Sequence, residues 1–359
     1  MPKNHIKKLI KEKQKKEAEW YSIRSLLGYS WAAFLFMIGG REVGKSYATT
    51  DFFCRQWRKY GRPFYWLRLT DTSQGKLLKN NAEKLVDPDL RRKYNLDLIT
   101  LGDGVYEVLE REKGTNKIKK KVLMARVLAL STFYNDKGSG LFDKDFLDDP
   151  NMYYNICLDE MNREQDERNS FDIVYAFANQ IENIIRSTKT RVRVFCIGNY
   201  LEEASDILCA FNFLPEKFGR FKLKKKRAVI DYIEPTEAYL KRRKGSLADI
   251  LMGQASTFTN KIKTDESLLN KRRLVSPQYV IKFTSSPEGW FTLWNGNTIA
   301  KYHGEKCSVI AMRPYLDELF NVKLRDTVIT QFDTRSFLYK DLITFKTFQK
   351  HLEFLKPRK

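Results

Sequence analysis

The sequence predicts an α/β fold: a mostly parallel sheet with flanking helices, followed by a short helical connector and a smaller α+β domain. Three observations predict it. The apolar run Phe34-Leu-Phe-Met-Ile38 passes directly into a glycine-bracketed loop and then a helix-periodic stretch. Further strand-length apolar runs alternate with amphipathic segments to about residue 235, the pattern of a parallel sheet. Beyond that, short apolar runs separated only by turns read as an antiparallel meander.

The first element is a dense set of lysines, Lys3 to Lys16, within a basic extension spanning 1–28. Weak helical periodicity makes it a solvated basic helix or a contact for nucleic acid, with equal weight. Phe34–Ile38 is apolar throughout, as in a strand buried on both faces. Gly39-Gly-Arg-Glu-Val-Gly-Lys45-Ser46 follows and fits G-x-x-x-x-G-K-[ST]. Residues 46–60 have helical apolar spacing, and Gly61 ends them. Phe64–Leu69 is the next strand.

Leu96–Leu101, Tyr106–Leu109 and Val122–Leu128 read as strands, with a hairpin turn at Gly114–Lys117. The lysines of that hairpin suit a charged sheet edge as well as a ligand. A strand end then runs into the polar, glycine-flanked loop that carries Lys137. Met152–Leu158 leads into Asp159-Glu160, an amphipathic helix covers 171–186, and Arg191–Ile197 is a strand ending at Gly198-Asn199. Residues 217–233 combine the densest basic run with a strand at 228–233. The predicted organisation is an extension at 1–28, a nucleotide-binding domain at 29–235, a connector at 236–264 and a last domain at 265–359.

Composition narrows the partners. The chain of 359 residues has a formal net charge of +21, which favours a polyanion, most simply nucleic acid. No apolar run approaches ~18 residues, so no bilayer-spanning helix is expected. The start, Met1-Pro-Lys-Asn-His5, lacks the apolar region of a secretory signal. Five scattered cysteines without a C-x-x-C pair read as reduced thiols. His5, His303 and His351 are too dispersed for a zinc site.

The chemistry follows from the loop. Gly39, Gly40, Arg41, Glu42, Val43 and Gly44 let the backbone curl with its N–H groups toward phosphate oxygens. Lys45 reaches the outer phosphates of ATP, the Ser46 hydroxyl is a ligand for Mg2+, and the helix start at Ser46-Tyr47 adds its positive dipole end. Asp159 is a second ligand for Mg2+, and Glu160 is placed to deprotonate a water aimed at the γ-phosphate. Asn199, at a neighbouring strand tip, can sense that phosphate, and an ordinary cap or turn is the lesser alternative. Arg186 is the best candidate for an arginine finger, although an arginine at a helix end is favourable through the dipole alone. Arg191 and Arg193 compete with it, Arg41 could act in cis, and Lys137 could touch DNA or a neighbouring subunit.

Taken together these residues resemble the DNA packaging ATPases (encapsidation proteins) of phi-29-type phages. The resemblance rests on the phosphate loop, Lys59-Tyr-Gly61 with an aromatic strand ending in Arg68, and Leu-Ser-Thr before Lys137. It also rests on Ile-Cys-Leu-Asp-Glu, Ile185-Arg186 before Arg-Val-Arg-Val, and Asn199. It is specific over about residues 30–200 and looser beyond. It implies a P-loop NTPase of the additional-strand, conserved-glutamate (ASCE) class and a ring homo-oligomer, a pentamer in that family. The ring docks on the portal of a prohead in the host cytoplasm and drives double-stranded DNA inward. It implies that Arg186 is a finger supplied to the neighbouring subunit, and that the last domain is an inactive RNase H-like nuclease. Some relatives use a prohead RNA, of which the sequence shows nothing. Asp71 departs from the pattern, standing where a basic DNA-facing residue is expected. Two other readings stay open: a helicase or a terminase with an active nuclease, and a basic structural protein with a vestigial nucleotide loop.

Overall fold

The structure is a computed structural model that describes residues 19–112, 114–136, 153–162, 171–185, 191–199, 205–252, 266–270, 272, 279–283, 289–294, 298–302, 315–317 and 329–355. Lys137, Arg186, most of the basic extension and the end of the connector lie outside them. The chain forms two compact units, 1–202 with 215–262, and 203–214 with 263–359. Residues 203–214 therefore interrupt the contiguous span 29–235 expected from the sequence.

In the first unit the strands are β1 (Phe34–Ile38), β2 (Phe64–Arg68), β3 (Leu98–Leu101), β4 (Gly104–Arg111), β5 (Ile118–Ala129), β6 (Tyr153–Asp159), β7 (Arg191–Gly198), β8 (Gly219–Leu223) and β9 (Ala228–Tyr232). They form one sheet in the order β3-β4-β5-β2-β6-β7-β1-β9-β8. The six central strands, β5 to β9 in that order, pair in parallel. β7 stands between β1 and β6, so the phosphate-loop strand and the Asp159 strand are separated by one additional strand. Parallel strands buried on both faces must be apolar throughout, and Leu35–Ile38 and Ile156–Leu158 are at or near zero exposure.

Helix α1 (Lys45–Tyr60) packs on this sheet through Phe52, Phe53 and Trp57. The Phe53 ring lies 4.8 Å from that of Phe64 and 5.2 Å from that of Phe195. These contacts fix the helix start over the C-terminal ends of the strands. Gly61 ends it in the left-handed conformation, φ 61°, with its N–H on the Trp57 carbonyl, the glycine stop expected from the sequence. The first unit also holds helices α2 (Asp71–Ala82), whose helical geometry breaks at Lys79–Asn81, α3 (Pro88–Tyr94) and α4 (Ile173–Ile185); Leu77 of α2 and Leu90 of α3 share a core with Phe52 and Phe53 of α1.

Several elements differ from the sequence expectation. β4 and β5 are longer than their apolar cores because antiparallel pairing carries the ladder past Lys119–Lys121 into a solvated ribbon. Leu130–Asp136 winds into 3-10 turns instead of an open loop. Part of the basic run is strand β8, paired antiparallel with β9. Asp71 has a local reason: it sits in the first turn of α2, where its charge suits the helix dipole, and accepts from Thr132 Oγ1 at 3.0 Å. In the connector region, α6 (Glu237–Arg243) and α7 (Leu247–Met252) follow a short helix α5 (Asp206–Ala210), which belongs to the second unit.

The second unit holds β10 (Tyr279–Phe283), β11 (Gly289–Trp294), β12 (Thr298–Tyr302), β13 (Tyr315–Asp317) and β14 (Leu338–Tyr339), in the order β13-β10-β11-β12-β14. β10 to β12 are the expected meander, and β13 joins β10 in parallel. Helix α8 (Leu342–Leu355) covers the sheet through Phe348 and Leu352, packed with Phe291, Ile299, Phe337 and Tyr339. Among the described residues, no helix is long and apolar enough to cross a membrane.

Candidate functional site

Three parallel strands end side by side at the site. β1 runs into the phosphate loop, β7 carries Asn199 at its tip, and β6 delivers Asp159 and Glu160. Ligands bind at the carboxyl ends of such strands because the loops there diverge and leave a crevice. Two loop residues have positive φ, Glu42 at 61° and Gly44 at 94°. Gly44 is required twice over: its φ disfavours a side chain, and a Cβ there would lie 3.2 Å from Cε3 of Trp20.

Lys45 is buried beneath the loop. Its Nζ donates to the carbonyls of Gly39 at 2.8 Å and Gly40 at 2.6 Å, and to Oδ1 of Asn199 at 3.4 Å. Burial pulls its pKa down to about 8, against the opposing pull of Asp159. The amine is therefore a cation short of solvation, suited to a polyanionic partner.

Ser46 Oγ donates to Asp159 Oδ1 at 3.2 Å, so the two oxygens expected to share a cation lie together. Asp159 is almost fully buried. Burial raises its pKa, and Arg68, Ser46 and Lys45 offset this only in part. Such a buried oxygen pair fits Mg2+, which binds through one or two protein oxygens and takes phosphates and water for the rest. Among the described residues there is no cluster of three or more His, Cys, Asp or Glu that would make an all-protein metal cage. Glu160 leaves the strand with φ 56°. Left-handed backbone at a non-glycine residue costs about 1–3 kcal/mol and concentrates at functional positions. The turn carries its half-exposed carboxylate out of the sheet.

The structure thus brings Gly39 to Tyr47, Asp159, Glu160 and Asn199 to one crevice. It places the competing arginines elsewhere. Arg191 and Arg193 open β7, at the end remote from Asn199, and the Arg193 guanidinium lies 4.5 Å from the Tyr153 ring. Neither reaches this chain's own phosphate loop.

One residue of the site went unassigned in the sequence. Arg68, at the tip of β2, donates to Asp159 Oδ2 at 3.0 Å and pairs with Glu160. Burial works to lower its pKa, but the two carboxylates more than compensate and raise it. A signal existed: an arginine closing a strand of otherwise apolar and aromatic residues, Phe64-Tyr-Trp-Leu, needs a buried counter-charge.

No protein-family model matches the chain. It is 24% identical over 268 residues to a DNA packaging protein of Bacillus phage phi29, covering 73% of this chain and 71% of that protein. It is 25% identical over 208 residues to a DNA packaging protein of Bacillus phage PZA, covering 57% and 53%. Among solved structures, the Phi-28 DNA packaging motor matches with a TM-score of 0.62 at 16% identity, over 95% of this chain and 99% of that one. The bacteriophage Phi-29 viral genome packaging motor assembly matches with a TM-score of 0.58 at 19% identity, over 93% and 100%. The fold is shared with those motor chains, and the sequence is similar to the DNA packaging proteins of Bacillus phages phi29 and PZA.

Proposed function

We propose that this relative of the phi29-type packaging proteins is the ATPase of a viral DNA packaging motor. It hydrolyses ATP with Mg2+ to move double-stranded DNA through a portal into a prohead. The observation that carries the reading is the meeting of Lys45, Ser46, Asp159, Glu160 and Asn199 at adjoining strand ends. Loop N–H groups and Lys45 bind and orient the phosphates. Ser46 and Asp159 hold Mg2+, which neutralises charge developing on the phosphate oxygens. Glu160 takes the proton from the attacking water, and Arg68 holds the two carboxylates in register. Asn199, already bonded to Lys45, reports the outer phosphate. Arg186 completes the site of the neighbouring subunit in a ring, a pentamer by family resemblance; Arg41 is the alternative in cis.

The net charge of +21 supports a phosphate-backbone partner, and contact with phosphates in place of bases lets a motor cross any sequence. The second unit is proposed to be nuclease-like in shape without cutting. Metal-dependent cleavage needs carboxylates clustered around two metals, and β10, the first strand of this sheet along the chain, Tyr279-Val-Ile-Lys-Phe283, has none. Lys282 there is registered with Asp317 of β13.

The test is DNA-stimulated ATP turnover by Glu160→Gln. ATP should still bind while kcat falls by about 10²–10⁴-fold, the range for loss of a general base. Mixing these subunits with Arg186→Ala subunits should restore part of the hydrolysis. A wild-type chain that leaves ATP intact, with and without DNA, ends the reading.

A further inference from the structure

The phosphate loop is held from two sides, and the outer side belongs to the connector. Inside, Lys45 occupies the carbonyls of Gly39 and Gly40. Outside, the next three carbonyls are bonded by residues from beyond the loop. The Tyr239 hydroxyl donates to the Arg41 carbonyl at 3.0 Å, and Arg243 Nη1 donates to the same oxygen at 3.2 Å. Arg242 Nη2 donates to the Glu42 carbonyl at 2.6 Å. The backbone N–H of Tyr21 donates to the Val43 carbonyl at 3.0 Å. Tyr239, Arg242 and Arg243 all lie on α6, the helix that opens the connector.

The fork of Arg242 is itself set in place. Its guanidinium carbon lies 3.7 Å from the centre of the Trp20 ring, and its other arm reaches Glu19 at 3.4 Å. Arg243 also lies 3.4 Å from the Glu42 carboxylate, so α6 grips both the backbone and the side chain of the residue with φ 61°.

We propose that Tyr239, Arg242 and Arg243 are positioning residues of the nucleotide site, through which the seating of the connector helix sets phosphate affinity. This rests on the reading of the loop as a nucleotide site. A peptide unit is planar, so an oxygen fixed on one side fixes the direction of the N–H on the other. The peptides whose oxygens α6 holds, Arg41–Glu42 and Glu42–Val43, are those whose N–H groups must face phosphate in a loop of this type. Donors on a carbonyl, cationic ones above all, also polarise the peptide and strengthen its N–H as a donor. Coupling of this kind is reciprocal. Whatever pulls α6 from the loop weakens nucleotide binding, and bound nucleotide holds α6 in place.

The experiment uses the full chain and a fluorescent ATP analogue with Mg2+. Tyr239→Phe deletes only the hydroxyl, Arg242→Ala deletes the fork, and Arg242→Lys restores a donor. Expected is a rise of about 2–10-fold in Kd and in KM for Tyr239→Phe, with kcat nearly unchanged. Arg242→Ala should show a larger rise, and Arg242→Lys a partial return toward wild type. Amide hydrogen exchange over Glu237–Arg243 should slow when ATP is added to wild type; this measurement decides the matter should a variant fail to fold. Lys45→Ala is the control that separates the two ideas. If wild type binds ATP, Lys45→Ala does not, and the α6 variants bind as wild type with no change in exchange over α6, the clamp is wrong and the nucleotide site stands. If wild type and Lys45→Ala bind equally poorly, the nucleotide reading itself fails.

Discussion

The two units bury polar groups for different ends. In the first, the buried polar residues at the strand ends are ionic and mutually dependent. Lys45, Arg68 and Asp159 are all at most 9% exposed, and Glu160 joins them from the surface. In the second, the buried polar residues among those described are hydroxyls and a histidine, settled by their nearest neighbours. Thr292 Oγ1 bonds the Ala300 carbonyl at 3.1 Å across the meander, Thr344 Oγ1 bonds Asp341 at 2.9 Å, and His351 packs edge-on against Phe291. Local satisfaction stabilises a fold and leaves nothing to react. A cluster of buried charges is costly unless complete, and is therefore informative about function.

The comparison can be broken most directly at Arg68. Arg68→Ala leaves Asp159 buried without its guanidinium partner, and removal of one member of a buried pair costs about 3–5 kcal/mol. Urea unfolding of the first unit should show that loss. An unchanged midpoint would mean that the cluster does not depend on its own counter-charges. A smaller effect concerns pH. The Lys45 ammonium, its pKa pulled down to about 8 by burial, is charged below that value and loses its proton above it. Phosphate binding needs the cation and raises its pKa. ATP affinity should therefore hold below about pH 8 and then fall, approaching tenfold per pH unit, with proton uptake on binding near pH 9. Calorimetry in buffers of different ionisation enthalpy reads that uptake; binding without it up to pH 9.5 would contradict the burial of the amine. The smallest expected effect is none at all. Supercoiled plasmid incubated with the chain and Mg2+ or Mn2+ should stay uncut, because Lys282 stands in β10 where a first-strand carboxylate is needed. Cleavage abolished by Asp317→Ala would give the second unit a chemistry of its own.

Much of the site could be read directly. A run of apolar residues ending in Gly39-Gly-Arg-Glu-Val-Gly-Lys-Ser has one economical structure, since strand, turn and helix start are all local. Asp159-Glu160 was legible for the same reason, as the charged end of an apolar strand. Strand β8 was not. Gly219-Arg-Phe-Lys-Leu223 has only one side of its ladder filled, and its pairing with β9 across the Lys224–Lys226 turn overrides a charged composition. The second unit's claim on residues 203–214 was hidden as well. Short α5 packs on α8, and Lys346 reaches Asp206 at 3.9 Å. No periodicity announces a partner so far along the chain.

The sequence by itself determined which residues could do chemistry, because the phosphate loop, the strand-end carboxylates and the basic balance are properties of short stretches and of sums. Only the tertiary structure decided which charges oppose one another. Arg68 meets Asp159 and Glu160 because β2 and β6 pair in parallel and end together. Tyr239, Arg242 and Arg243 meet the loop because α6 follows β9, the strand beside β1. Sheet order is set by packing over the whole unit, and no local stretch encodes it.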